Sequence, residues 1–152
     1  YVPALVLDDG QVLTEVAAIL QYLADSRPEL GLAIPSGDLA HYRLLEWLNF
    51  ISTEVHKTLG GLFNPNLPVE CREVPLALFD RRCDWLAGTL GEGPFLMGER
   101  YTIADPYLFT VLNWTSVLAV DLGRWPALKD YLARVGARPA VQETLKVEGL
   151  TG

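Results

Sequence analysis

Cysteine, histidine and methionine are scarce: two, two and one in 152 residues. Cys71 and Cys83 lie twelve positions apart with no histidine beside either, so their spacing gives neither a zinc site nor a disulfide framework. They are expected to be reduced packing residues of a cytoplasmic protein. His41 and His56 stand fifteen positions apart on one predicted helix, too far to share a metal ion. Positive charge is also short. Twelve Lys and Arg face nineteen Asp and Glu, giving a net charge of −7 with no basic run. Nucleic acid and anionic membrane surfaces are therefore not expected as partners. The longest uncharged run, Pro106 to Val120, is shorter than the roughly 20 apolar residues a membrane span requires. It predicts a helix buried on nearly every side. No secretory leader pattern is visible. There is no G-x-S-x-G, no Gly-rich phosphate loop and no H-E-x-x-H, so hydrolase, kinase and metalloenzyme chemistry have no support and no metal is expected.

What is present reads as a soluble fold, with half the residues hydrophobic and a fifth charged. Val2 to Leu7 is apolar and β-prone, Asp8-Asp9-Gly10-Gln11 is a turn, and Val12-Leu13 resumes the strand. Asp-Gly between apolar runs signals a hairpin, because glycine takes the positive φ of the turn cheaply. Thr14 is expected to cap a helix in which Val16, Ala17, Ile19, Leu20 and Leu23 recur at helical spacing as far as Asp25. A lone hairpin is marginal in water, so its partner strands are expected upstream of Tyr1. Residues 28–37 carry two prolines and two glycines without a period and read as a linker. The rest is helical. The expected organisation is thus 1–27 as the remnant of one domain, 28–37 as linker and 38–152 as an all-α domain.

Within the all-α part, Ala40, Leu44, Leu48, Ile51, Val55, Leu59 and Leu62 recur every three or four residues and predict one long helix. Further helices are expected over about 74–90, from near Thr102, and over 126–135 and 139–147, with a loop at Gly91-Glu92-Gly93-Pro94. At about 100° per residue, Glu46, Asn49, Thr53, His56 and Lys57 fall opposite the apolar stripe. Two readings fit this face. It is a solvated surface, or it is a polar wall against a small ligand. The second explains why Asn, Thr and His stand where better helix formers would serve. His56 could exchange a proton near neutral pH or hydrogen-bond a carboxylate.

Glu15 follows the expected Thr14 cap. It either complements the helix N-terminus or takes a ligand's ammonium group while the N–H of Val16 binds the ligand's carboxylate. Thr102-Ile103-Ala104-Asp105 resembles a capping box, with both side chains satisfying N–H groups at the start of the buried helix. Pro106 removes an early hydrogen bond there.

Together these segments resemble the glutathione S-transferase family. Val2-Pro3-Ala4-Leu5 is similar to its Val-Pro motif, Leu13 to Leu23 to its γ-glutamyl-binding helix, and Thr102 to Asp105 to its capping motif. Glu46-Trp47-Leu48-Asn49-Phe50-Ile51-Ser52-Thr53-Glu54-Val55-His56-Lys57 is similar to the bacterial beta class. The resemblance implies an all-helical carboxy-terminal domain preceded by the last hairpin and helix of a thioredoxin-like domain, with Val2–Pro3 cis. It implies that Val2, Glu15 and Val16 bind glutathione, that Asn49, Thr53, Glu54 and His56 approach it, some across a homodimer interface, and that Lys57 adds a positive charge. His56 would assist catalysis. Position 16 departs from the pattern, since many family members have serine there. The family's thiol-activating residue lies in a β-α-β unit before the Val-Pro motif, so this chain alone is expected to be inactive. The implied activity of the parent is conjugation of glutathione to a small electrophile; a non-catalytic scaffold is the alternative.

Overall fold

The computed structural model describes residues 2–90 and 93–150. Tyr1 and the Gly91-Glu92 half of the expected loop lie outside the described residues.

The hairpin forms as the sequence predicts. Strands β1 (Ala4–Val6) and β2 (Val12–Thr14) pair antiparallel with Leu5 opposite Leu13. Gly10 takes φ 85° in the turn, and the Asp9 carboxylate accepts from the N–H of Gln11 at 3.0 Å. The Val2–Pro3 peptide is cis, as the motif implies. Helix α1 (Val16–Asp25) follows. Thr14 does not cap it. The strand runs through Thr14, and Glu15 takes the junction at φ 71° with no side-chain cap. That φ lies in the left-handed region, which L-residues enter at a cost of roughly 1–2 kcal/mol.

Residues 28–37 pack closely. A 3-10 turn covers Pro28–Leu30, and Ile34 is buried. Arg100 donates to the carbonyls of Gly31 (3.0 Å) and Ala33 (2.8 Å), and the N–H of Ile103 reaches the carbonyl of Leu32 at 2.9 Å. The segment is thereby tied to the start of the buried helix.

Helix α2 (Leu39–Phe50) opens with Asp38, whose carboxylate accepts from the N–H of Ala40 at 3.0 Å. The expected single long helix is interrupted. Ile51–His56 is a π-helical turn, in which the N–H of Lys57 reaches back five residues to the carbonyl of Ser52. A short helix α3 (Lys57–Gly60) and a 3-10 turn (Gly61–Phe63) complete the rod. Side chains compensate nearby backbone carbonyls. Asn49 donates to Leu45 O (2.8 Å), Thr53 to Asn49 O (3.0 Å) and Thr58 to Glu54 O (2.7 Å). π-turns of this kind are rare and concentrate at functional sites.

Helices α4 (Glu73–Leu90), α5 (Ala104–Val117), α6 (Pro126–Gly136) and α7 (Pro139–Val147) complete the bundle. The core is one cluster, built from Leu44, Leu48, Ile51, Val55 and Leu59 of the rod, Phe79, Cys83 and Leu86 of α4, Leu108 and Leu112 of α5, and Leu128, Tyr131 and Val135 of α6. Each of these is 0% or 1% exposed. Truncating any of the leucines to alanine would cost about 2–5 kcal/mol.

The start of α5 corrects the simple capping box. Asp105 does its half: its carboxylate accepts from Thr102 N (2.8 Å), Leu96 N (3.0 Å) and the Tyr131 hydroxyl (3.1 Å). The Thr102 hydroxyl instead turns to that same carboxylate at 3.3 Å, leaving the Asp105 N–H to the Thr102 carbonyl at 3.1 Å. Pro106 has no N–H to offer that carbonyl, so Asp105 supplies one in its place.

Helix α5 is also less enclosed than its uncharged run predicts. Pro106, Thr110 and Trp114 form a stripe that lines a cavity rather than core. The helix ends at Val117, where Ala119 turns at φ 56° and Val120 N–H reaches the Thr115 carbonyl at 2.8 Å.

Candidate functional site

A cleft of about 280 Å³ separates the cis-proline end of the hairpin from the π-turn. Val2, Pro3, Glu15 and Val16 form one wall, and Ser52, His56, Lys57 and Tyr107 the other. The first wall is preorganised by backbone geometry. The left-handed turn at Glu15 starts α1 abruptly, and the first free N–H groups of that helix, with their partial positive charge, lie at the wall. Val2 and the cis-Pro3 stand at the mouth of this wall.

The second wall comes from the widened turn and from α5. His56 Nδ1 lies 2.9 Å from the Tyr107 hydroxyl. Trp114 packs edge-on against the imidazole with ring centroids 4.8 Å apart, and Phe63 packs edge-on against Trp114. Burial holds the His56 pKa below its ordinary value, while the Glu15 carboxylate across the cleft pulls it partly back. Burial raises the Tyr107 phenol, opposed by the nearby Ser52 side chain and assisted by the Glu15 charge. Near neutral pH the cleft therefore holds a neutral imidazole beside an un-ionised phenol.

The cleft opens into an apolar chamber of about 550 Å³, in which Leu20, Pro106, Thr110, Val111 and Trp114 join five residues shared with the polar half. Polar and apolar binding surfaces thus meet at His56 and Tyr107.

The structure brings Val2, Glu15, Val16, His56 and Lys57 to one cleft. It places Asn49, Thr53, Glu54 and Glu46 elsewhere. Asn49 and Thr53 are exposed and bond their own helix backbone. Glu54 faces α4, where Arg82 donates to it at 2.8 Å. Glu46 pairs with Arg43 at 2.7 Å on the surface. Sequence reasoning missed Ser52, which lies inside the quoted segment, and Tyr107, which reads as one more apolar residue of α5. Neither cysteine is at the site: Cys71 is exposed and Cys83 lies in the core. Among the described residues no cluster of His, Cys, Asp and Glu could hold a metal, and no helix is long and apolar enough to cross a membrane.

A hairpin with a cis-proline, a helix N-terminus beside it and a helical bundle closing the cleft define a glutathione-transferase architecture. The comparisons agree. Residues 76–134 match the glutathione S-transferase C-terminal domain. The chain is 42% identical over 149 residues to the glutathione S-transferase GstA of Escherichia coli O157:H7, covering 98% of this chain and 74% of that protein. It superimposes with a TM-score of 0.96 on a glutathione transferase from Methylococcus capsulatus at 56% identity, over 99% of this chain and 75% of the other. A sphingomonad glutathione S-transferase, solved with glutathione, superimposes with a TM-score of 0.93 at 38% identity, again over 99% and 75%. The chain belongs to the glutathione S-transferase family.

Proposed function

We propose that the protein binds glutathione in the cleft between Glu15 and His56 and serves the addition of its sulfur to small electrophiles. The observation that carries this reading is the pairing of two unlike walls. A helix N-terminus with an acidic residue suits the carboxylate and ammonium of a γ-glutamyl group, and a neutral His–Tyr pair suits a sulfur atom at the edge of an apolar chamber. In this assignment the Val16 N–H takes the γ-glutamyl carboxylate and Glu15 the ammonium. The backbone of Val2 pairs with the cysteinyl unit. His56 assists at the sulfur, and Lys57 adds positive charge beside the anionic ligand. The electrophile occupies the chamber lined by Leu20, Val111 and Trp114. Neither cysteine reaches the cleft, so these residues contribute binding, orientation and a polar setting for the sulfur.

Asn49, Thr53 and Glu54 do not line this cleft. Their contribution to glutathione is assigned to a homodimer, in which the long rod of one copy approaches the ligand of the other. The half-exposed Trp85 beside Phe50, with ring centroids 4.6 Å apart, supplies apolar surface near that rod for a second copy. The acidic chain and its lack of a membrane-crossing helix among the described residues suit a cytoplasmic enzyme.

Calorimetric titration with glutathione tests the assignment. Glu15→Ala removes a charged partner and is expected to cost about 1.5–3 kcal/mol of binding, whereas Val16→Ala keeps its N–H and is expected to cost little. Equal, negligible losses would contradict it.

A further inference from the structure

His56 and Tyr107 meet through a single contact whose direction has a chemical consequence. The Tyr107 hydroxyl is 2.9 Å from His56 Nδ1. A phenol both donates and accepts, whereas a neutral imidazole has one donor nitrogen and one acceptor nitrogen. Ser52, on the same π-turn, lines the cleft beside the phenol. The phenolic proton needs an acceptor, and the side-chain acceptor within reach is His56 Nδ1. Were Nδ1 itself protonated, two donors would face each other and the phenol would need another acceptor.

We infer that Tyr107 is a positioning residue that fixes His56 as the Nε2–H tautomer, so that the imidazole offers the ligand a hydrogen-bond donor and not a proton-accepting nitrogen. Donation runs from the Tyr107 hydroxyl to His56 Nδ1, which leaves Nε2 carrying the ring's one proton. The phenol keeps its proton throughout the neutral range because burial raises its pKa, and the imidazole stays uncharged because burial lowers its own. The ring is also held in place. Trp114 stands edge-on to it at 87°, with ring centroids 4.8 Å apart. The three polar residues come from two elements only. Ser52 and His56 share the π-turn, whose five-residue hydrogen bond at Ser52 sets their relative placement, and Tyr107 comes from the first turns of α5.

This inference deepens the glutathione reading and rests on it for its ligand, since a donor at Nε2 suits a thiolate sulfur and a bare ring nitrogen would repel one. The tautomer itself is a property of the protein without ligand, so it is tested separately. Long-range nitrogen–proton NMR on protein labelled with ¹⁵N-histidine, recorded above the His56 titration, distinguishes a protonated ring nitrogen from an unprotonated one. The expected result is an unprotonated Nδ1 and a protonated Nε2. Tyr107→Phe keeps the ring and removes the hydroxyl. It is expected to populate the Nδ1–H form measurably and to raise the His56 titration midpoint, because a hydrogen bond accepted by Nδ1 favours the neutral ring. A protonated Nδ1 in the unmodified protein overturns the inference whether or not the variant folds. So does a Tyr107→Phe protein whose tautomer and midpoint are unchanged. Absence of glutathione binding with the tautomer as stated would instead overturn the proposed function and leave this assignment standing.

Discussion

The hydroxyl of Tyr131, on α6, lies 3.1 Å from the buried carboxylate of Asp105, at the start of α5. Asp105 is 0% exposed and its pKa is raised by burial, against hydrogen bonds from Leu96, Thr102 and Tyr131 that favour the carboxylate. Each donor therefore offsets part of a desolvation cost. Tyr131→Phe is expected to destabilise the protein by about 1–3 kcal/mol, the cost of leaving a buried acceptor short of one partner. Urea unfolding checks this through its midpoint. A change below a few tenths of a kcal/mol would mean the remaining donors suffice.

Much of this architecture was legible because it rests on local chemistry. Asp8-Asp9-Gly10 between apolar runs gave the hairpin, and the Val2–Pro3 resemblance gave the cis bond. The apolar stripes gave helices α1, α4, α6 and α7 to within a residue or two. The π-turn was not legible. Leu44, Leu48, Ile51, Val55, Leu59 and Leu62 keep the average spacing of an ordinary helix, and nothing in that pattern records which carbonyl each N–H chooses. A regular helical wheel puts Glu46, Asn49, Thr53 and Lys57 on the same face as His56, whereas the cleft of this chain takes only His56 and Lys57 from that set. Glu54 came from the family resemblance alone. Tyr107 was hidden for another reason. In an uncharged run an aromatic residue counts as core, and only Val2, Pro3, Val16 and Leu20 across the gap turn that face into a cavity wall. Thr14 misled because threonine suits a strand end as well as a cap, and a glutamate with positive φ has no signature in sequence.

The two cysteines are expected to differ sharply in reactivity. Cys83 is buried in the core, and burial together with Asp80 and Asp84 pushes its thiol up to about 12. Cys71 is exposed. Because the thiolate is the reactive form, a thiol reagent at pH 8 should label one cysteine in the native protein and both in denaturant. Mass spectrometry locates the label. Rapid native labelling of Cys83 would contradict its placement in the core.

The pH response of His56 has a definite sign. Its folded pKa lies below the ordinary 6.5 because burial penalises the charged ring. The unfolded chain then binds the proton more readily, so this group's contribution to stability is fully present above about pH 6.5 and is lost as pH falls towards the folded value. The imidazole proton resonance should titrate with a midpoint below 6.5. Glu15→Gln should move it lower still, since the carboxylate supports the charged form. A midpoint above 6.5 in the unmodified protein would show that partners outweigh burial.

The proposed place of glutathione is the cleft between Glu15 and His56. Backbone amide NMR during titration with reduced glutathione reads this directly. The expected result is a saturable set of shifts centred on Glu15, Val16, Ser52, His56, Lys57 and Tyr107, with α7 and the outer face of α6 unmoved. Shifts confined to α6 and α7, or no saturable shifts, would contradict it.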